Sequence, residues 1–171
     1  MSFPHELDGH RLHNWARRAV GELSARRAEI NSLNVFPVPD ADTGSNMTHT
    51  MEAALAEVDK LTDTAEVSRV AQALATGSVR GARGNSGLVL SQVLRAIAGH
   101  TTEAAIDGHA IADALATAVQ LVDRAIADPV EGTIITVLRA SAVAAGTAAQ
   151  AEGDLHGVVT AAVVAARTAL A

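Results

Sequence analysis

Apolar residues recur at helical spacing along most of this chain, and an unusual share of those positions is filled by alanine, which makes up roughly a fifth of the residues against an ordinary usage far below that. Alanine is the strongest helix former and packs helices closely. The β-branched and aromatic alternation of a sheet is missing, with aromatics at only 2%. Leu12, Trp15, Ala16, Ala19, Val20 and Leu23 fall on one face of a first helix that Asp8 can cap and that runs to about Ile30. Thr43 or Ser45 can cap a second helix through Met51, Leu55 and Val58. A third spans about Thr64 to Thr76 and is closed by Gly77. A fourth carries Leu88, Val93, Leu94 and Ile97 and stops at Gly99. A fifth runs from Gly108 to Ala127, where Asp128-Pro129 breaks it. A sixth opens after Val130-Glu131-Gly132-Thr133, and a last one spans Leu155 to Leu170. The expected fold is all-α, an antiparallel up-and-down helical barrel or bundle of about seven to eight helices. At 171 residues the chain reads as a single domain, residues 1–171.

Composition excludes several kinds of protein. Cysteine is absent, which removes disulfides, thiolate metal sites and a cysteine nucleophile, and fits a cytoplasmic setting. The stretch Met1–Arg18 has no apolar core, so it reads as neither signal peptide nor membrane span, and no other stretch reaches about 18 uninterrupted apolar residues. A net charge of −6, with one Trp and no Tyr, leaves neither a basic stripe nor stacking aromatics for nucleic acid. Arg17, Arg18, Arg26 and Arg27 form basic pairs on the first helix, a solvated face or a docking surface for an acidic partner. The seven histidines show no H-x-x-x-H pair and have no neighbouring cysteines, which argues against a zinc site.

Three loops carry chemistry. In Asn34-Val35-Phe36-Pro37-Val38-Pro39-Asp40-Ala41-Asp42-Thr43-Gly44-Ser45-Asn46-Met47, two prolines stiffen a non-helical strip that ends in two carboxylates and enters a helix. Residues two apart in an extended strip point the same way, so Asp40 and Asp42 can converge on a hard cation, and the N–H groups of the following helix can face phosphate. Surface-turn chemistry is the competing reading. Gly81-Ala82-Arg83-Gly84-Asn85-Ser86-Gly87 lets backbone approach a ligand closely, or is a flexible turn; it lacks the lysine of a Walker A loop. Glu131-Gly132-Thr133 can belong to a site or simply start a helix. The loops after helix one, after helix three and before helix six lie at one end of an up-and-down bundle, so they can surround one anion.

Taken together, these three motifs resemble the N-terminal ATP-binding domain of bacterial fatty acid kinase, which is homologous to the L subunit of dihydroxyacetone kinase. The resemblance covers nearly the whole chain. It implies an all-α helical barrel with ATP and two Mg²⁺ at one end. Asp40 and Asp42 would be metal ligands, with Asn34 where the dihydroxyacetone kinase subunit has a third metal-binding Asp. Thr43, Gly44, Asn46, Gly84 and Ser86 would hold the phosphates, Ser45, Met47, Asn85 and Gly87 would belong to the same ATP-binding set, and Thr133 would lie near the base. None of these acts as a nucleophile. Thr43 stands where the dihydroxyacetone kinase subunits carry His, and the Asn-Val-Phe-Pro-Val-Pro lead is that of the fatty acid kinase branch. Resemblance further implies a DegV-like fatty-acid-binding protein that presents the acceptor, and the remaining domains of a longer kinase, since the chain stops at Ala171 before a further helix and an Asp-Ala-Gly-type loop. A homodimer stays open. So do a dihydroxyacetone kinase-type subunit, a Mg²⁺-dependent phosphohydrolase working through an aspartyl-phosphate, and a non-catalytic helical adaptor.

Overall fold

The computed structural model describes residues 5–102 and 104–170; Met1–Pro4 of the amino-terminal stretch, Glu103 and Ala171 lie outside the described residues. Among the described residues the protein is all-helical, with seven helices: α1 (Gly9–Leu33), α2 (Thr43–Val58), α3 (Val67–Gly81), α4 (Gly84–His100), α5 (Gly108–Ala125), α6 (Ile134–Gln150) and α7 (Leu155–Ala169). Side-chain caps start several of them in the expected way. Asp8 accepts from the Arg11 N–H, Asp107 from Ala110 and Asp154 from Gly157, each at 2.8 Å, satisfying donors that the first turn leaves orphaned. No described helix is long and apolar enough to cross a membrane.

Each helix packs on the next in sequence, and α1 on α3, α2 on α4 and α5 on α7 add second-neighbour contacts. Short connections between such neighbours give the up-and-down arrangement. α1 and α7 do not pack on each other, so the ring of helices is open there. An apolar cleft of about 330 Å³ lies between them, lined by Leu12 and Trp15 on one side and Leu155 and Val159 on the other. Trp15, expected on the buried stripe, is therefore 42% exposed. At this end Leu7 and Ile106 exchange two backbone hydrogen bonds of 2.8 and 2.9 Å, which tie the entry to α1 to the α4–α5 connection.

The core follows the small-residue pattern. Around Met51, Val58, Val70, Leu74 and Leu94, buried alanines at 16, 54 and 71 let α1, α2 and α3 approach closely. A second group joins α4, α5 and α6 through Val89, Ala118, Val122 and Leu138. Glycine serves the same purpose, and here the sequence reading needs correcting. Gly77 does not end α3; it sits buried in its interior, where a Cβ would stand 2.4 Å from the Ala53 carbonyl oxygen and 2.8 Å from the Ala54 Cα. The helix runs on for another turn, and only Ala82 and Arg83 separate α3 from α4.

Charged groups decorate the outside of this packing. Glu57 on α2 accepts a 2.7 Å bond from the Lys60 ammonium and lies 3.8 Å from Arg80 of α3. The Lys60 hydrogen bond, aided by both positive charges and opposed by partial burial, holds the Glu57 carboxyl below its usual range. A depressed folded-state pKa stabilises the fold fully above the ordinary carboxylate range, and the contribution fades as pH falls through the lowered value. Glu57→Gln should therefore leave a smaller acid-side decline in Tm than the wild type shows, with the two proteins converging at the lowest pH. Melting curves from neutral pH into that range check it; parallel declines would show that Glu57 carries no such linkage.

Candidate functional site

Three connections meet at the end of the bundle opposite the Leu7–Ile106 bridge, as the loop parity requires. The α1–α2 strip, the α3–α4 turn and the α5–α6 loop together line a cleft of about 400 Å³. Asn34, Asp40, Asp42, Thr43 and Asn46 come from the first, Gly84, Asn85 and Ser86 from the second, and Thr133 from the third. Of the residues singled out in the sequence, Gly44, Ser45, Met47 and Gly87 do not line it.

Their places in the fold explain why. Gly44 is buried against α1, where a Cβ would meet the Arg27 carbonyl oxygen at 2.5 Å. Gly87 brings α4 onto α2, its missing Cβ lying 2.4 Å from Thr50 Oγ1. Ser45 is held by Asn31 of α1, whose side-chain oxygen accepts the Ser45 N–H at 3.1 Å and whose amide donates to the Ser45 hydroxyl at 3.0 Å. Met47 is half-buried within α2.

Asn34 has a definite task. Its Oδ1 accepts the N–H groups of Asp42 and Thr43, both at 3.1 Å, and the Thr43 hydroxyl at 2.8 Å, while its amide donates to the Val38 carbonyl at 3.2 Å. It thus caps α2 from the far side of the loop and fixes the strip against the helix start. An oxygen that receives three donors has no lone pair left over for a cation. In this geometry Asn34 braces the strip against the start of α2.

The strip between the prolines and the helix is not extended throughout. The Phe36–Pro37 peptide is cis, and Ala41 adopts φ 53°, a left-handed conformation unusual for a residue with a Cβ. The chain therefore turns between Asp40 and Asp42, and both still line the same cleft. Asp42 is the N-cap of α2, its carbonyl accepting the Asn46 N–H at 2.8 Å, yet its carboxylate makes no capping bond. Neither carboxylate has a hydrogen-bond or ion-pair partner in the described protein, so both are available to a ligand.

Across from them, α4 begins at Gly84 with φ +62°, a conformation that glycine adopts without strain. A Cβ there would stand 2.5 Å from the Asn46 side-chain nitrogen, so the absent side chain also lets α4 start against α2. The α3–α4 turn is fixed by Thr50, which accepts the Arg83 N–H at 3.3 Å and donates to the Asn46 carbonyl at 2.7 Å. Arg83 is the N-cap and offers no capping side chain. The amide N–H groups of Gly84, Asn85 and Ser86 consequently find no acceptor within the described protein. In α2, by contrast, Thr43 and Ser45 have their N–H groups occupied by Asn34 and Asn31. The free donors for an anion therefore belong mainly to α4, where the helix dipole adds partial positive charge.

The opposite wall is apolar, and beyond the Val130–Thr133 loop its residues carry no motif in the sequence. Ile126 and Val130 of the α5–α6 loop, Ile134 and Ile135 of α6, and Leu170 line it together with Asp128. Phe36 reaches across the mouth to Gly132, whose φ is +79° and whose missing Cβ would lie 3.7 Å from the Phe36 ring. Asp40, Asp42 and Asp128 line the cleft, and no Lys or Arg does. An anion entering among these carboxylates would be repelled unless cations came with it. Among the described residues no three His, Asp or Glu side chains form a cluster able to hold a metal alone. Two carboxylates and open donors suit Mg²⁺ well, since it keeps several waters and is commonly held by one or two carboxylates together with phosphate oxygens.

Comparison with known proteins agrees with this architecture. The model of the DAK2 domain matches residues 37–171. Protein YloV of Bacillus subtilis (strain 168) is 38% identical over 156 residues, which cover 91% of this chain and 28% of that protein. An uncharacterized protein of Staphylococcus aureus (strain USA300) is 38% identical over 124 residues, covering 72% of this chain and 22% of that one. The chain thus spans about a quarter of the length of these relatives. With its three loops gathered at one end of the helices and a family match over most of its length, the chain belongs to the DAK2 domain family, the L-like domains of the dihydroxyacetone kinases.

Proposed function

We propose that this chain is the Mg·ATP-binding domain of a fatty acid kinase, which transfers the γ-phosphoryl group to a fatty acid carboxylate and gives an acyl phosphate. The observation that carries the reading is the cleft itself. It opposes two unpartnered carboxylates, Asp40 and Asp42, to an uncapped helix N-terminus at Gly84–Ser86, beside an apolar wall. Membership in a kinase family supports it at the level of phosphoryl transfer. The Asn34–Pro39 lead and Thr43, in place of His, support the fatty acid branch.

Phosphoryl transfer asks little covalent chemistry of a protein; positioning and charge neutralisation do the work. Bound Mg²⁺ would supply charge neutralisation at the phosphates. Asp40 and Asp42 would hold it. The Gly84, Asn85 and Ser86 N–H groups would donate to the phosphate oxygens on which negative charge develops, and Asn46 and Thr43 would lie beside them. Ile126, Val130 and Ile134 would shield the base from water, with Thr133 at the same wall. Acceptor recognition falls to a DegV-like fatty-acid-binding protein and to the rest of a longer kinase.

Calorimetric titration with ATP, with and without Mg²⁺, tests the nucleotide half. Saturable binding that needs Mg²⁺ is expected. For the acceptor half, the full-length kinase supplied with a fatty-acid-loaded partner should form acyl phosphate, trapped as a hydroxamate. Release of inorganic phosphate without any acceptor, with a trapped aspartyl-phosphate, would replace the kinase by a phosphohydrolase. Absence of Mg²⁺-dependent ATP binding would leave an adaptor.

A further inference from the structure

Arg139 lies on α6, outside the residues that line the cleft, yet the loop forming the apolar wall is tied down through it. Its guanidinium donates to Asp123 of α5 at 2.7 Å and to Glu131 of the loop. Glu131 in turn accepts the Thr136 hydroxyl, and the Thr136 oxygen accepts the Gly132 N–H at 2.8 Å. Thr133 closes the loop with a 2.7 Å bond from its hydroxyl to the Val130 carbonyl. One acid stands on α5 before the loop and the other inside it, so a single planar fork on α6 ties the loop to both helices. Lysine, a point charge, could not serve both carboxylates in the same way.

Isolated ion pairs this exposed contribute little to stability. The position of this one gives it a different consequence. Ile126, Asp128, Val130, Gly132 and Thr133 all reach the cleft from the tethered segment, and none is held by burial in a helix. We propose that Arg139 is a positioning residue for nucleotide affinity: by clamping Asp123 and Glu131 it keeps the α5–α6 loop in the conformation that receives the base, while the phosphate half of the cleft is built without it. This rests on the Mg·ATP reading above. A loop that samples its binding-ready conformation only part of the time weakens apparent affinity by that fraction.

The test separates the two halves of the ligand. Wild-type protein, Arg139→Ala and Arg139→Lys are titrated with Mg·ATP and with Mg·tripolyphosphate, which carries the phosphates and no base. Arg139→Ala should weaken Mg·ATP about tenfold and leave Mg·tripolyphosphate within about twofold, as expected if the ready conformation falls to roughly a tenth of the population. Arg139→Lys should lie between. Hydrogen exchange at the Gly132 amide should speed up in Arg139→Ala without ligand. Should Arg139→Ala fail to fold, Glu131→Gln, at a side chain 61% exposed, carries the same expectation for ATP. Equal weakening of both probes would make Arg139 merely structural, and unchanged affinity for ATP would overturn the proposal outright. A wild-type protein that binds tripolyphosphate but gains nothing from the base also overturns it while leaving the metal and phosphate site standing. One that binds neither probe removes the kinase reading and this proposal with it.

Discussion

Asp42→Asn should weaken Mg²⁺-dependent nucleotide binding by about thirtyfold or more while leaving the helices intact. Two features of the site lead to that result. Asp42 contributes to the fold through its backbone, whose carbonyl accepts the Asn46 N–H, and its N–H is held by Asn34. Its carboxylate makes no capping bond, and asparagine is as good an N-cap as aspartate, so the substitution should cost the fold well under about 1 kcal/mol. The site, in contrast, loses a full negative charge in a cleft where no basic side chain takes part. Removing one partner of a shielded charge pair costs roughly 2–5 kcal/mol, which corresponds to about thirtyfold to several thousandfold in affinity. Asp40→Asn should act in the same direction with a smaller loss, because Asp40 is exposed and water compensates more of the charge. Calorimetry of both variants, with circular dichroism as the fold control, checks the pair. Undiminished Mg²⁺-dependent affinity in Asp42→Asn would sink the metal assignment.

How much of this site could be read from the chain depends on whether the determinant is local. Helix order and loop parity are local: apolar spacing marks seven segments, and an up-and-down path then sends the connections at Asn34–Asp42, Ala82–Arg83 and Ile126–Thr133 to one end. Caps from nearby side chains, such as Asp8 and Asp154, are equally visible. The support of α2 is not, because its first-turn donors are taken by Asn34 and Asn31, residues 8 to 14 positions away. No spacing rule links them. Gly77 looked like a helix end because glycine commonly closes helices, and only the approach of α2 shows that it is there to admit a backbone. Ile126 falls inside the span expected for the fifth helix and Leu170 at the end of the last, and their place in a cleft wall emerges only once the loop is folded. Ala41, with its positive φ, breaks the extended reading of the Asp-x-Asp strip, since alanine gives no sign of that conformation.

The same contrast between local and tertiary demands predicts opposite outcomes for two glycines in helix interiors. Gly21 of α1 has nothing within 4 Å of where a Cβ would stand. Gly21→Ala therefore acts on helix propensity and chain entropy alone, and should stabilise by about 0.5–1 kcal/mol. Gly77→Val should do the reverse. Its first added carbon falls 2.4 Å from the Ala53 oxygen and 2.8 Å from the Ala54 Cα, both of them backbone atoms of α2 that no rotamer change can move away. The helices must separate. Overpacking of this kind costs up to about 3 kcal/mol, and valine recovers little in propensity. For a chain of this size each kcal/mol is worth roughly 2–4 °C, so Tm should fall by about 6–12 °C for Gly77→Val and rise by about 1–4 °C for Gly21→Ala. The damage should also reach the cleft, because α2 starts at the carboxylates and α3 leads into the turn that sets Gly84 against Asn46. Mg·ATP affinity should thus drop in Gly77→Val even at temperatures where the protein is fully folded, and stay unchanged in Gly21→Ala. A Gly77→Val protein with wild-type Tm and affinity would mean that α2 and α3 do not approach as closely as described, and the placement of both site loops would then have to be redrawn.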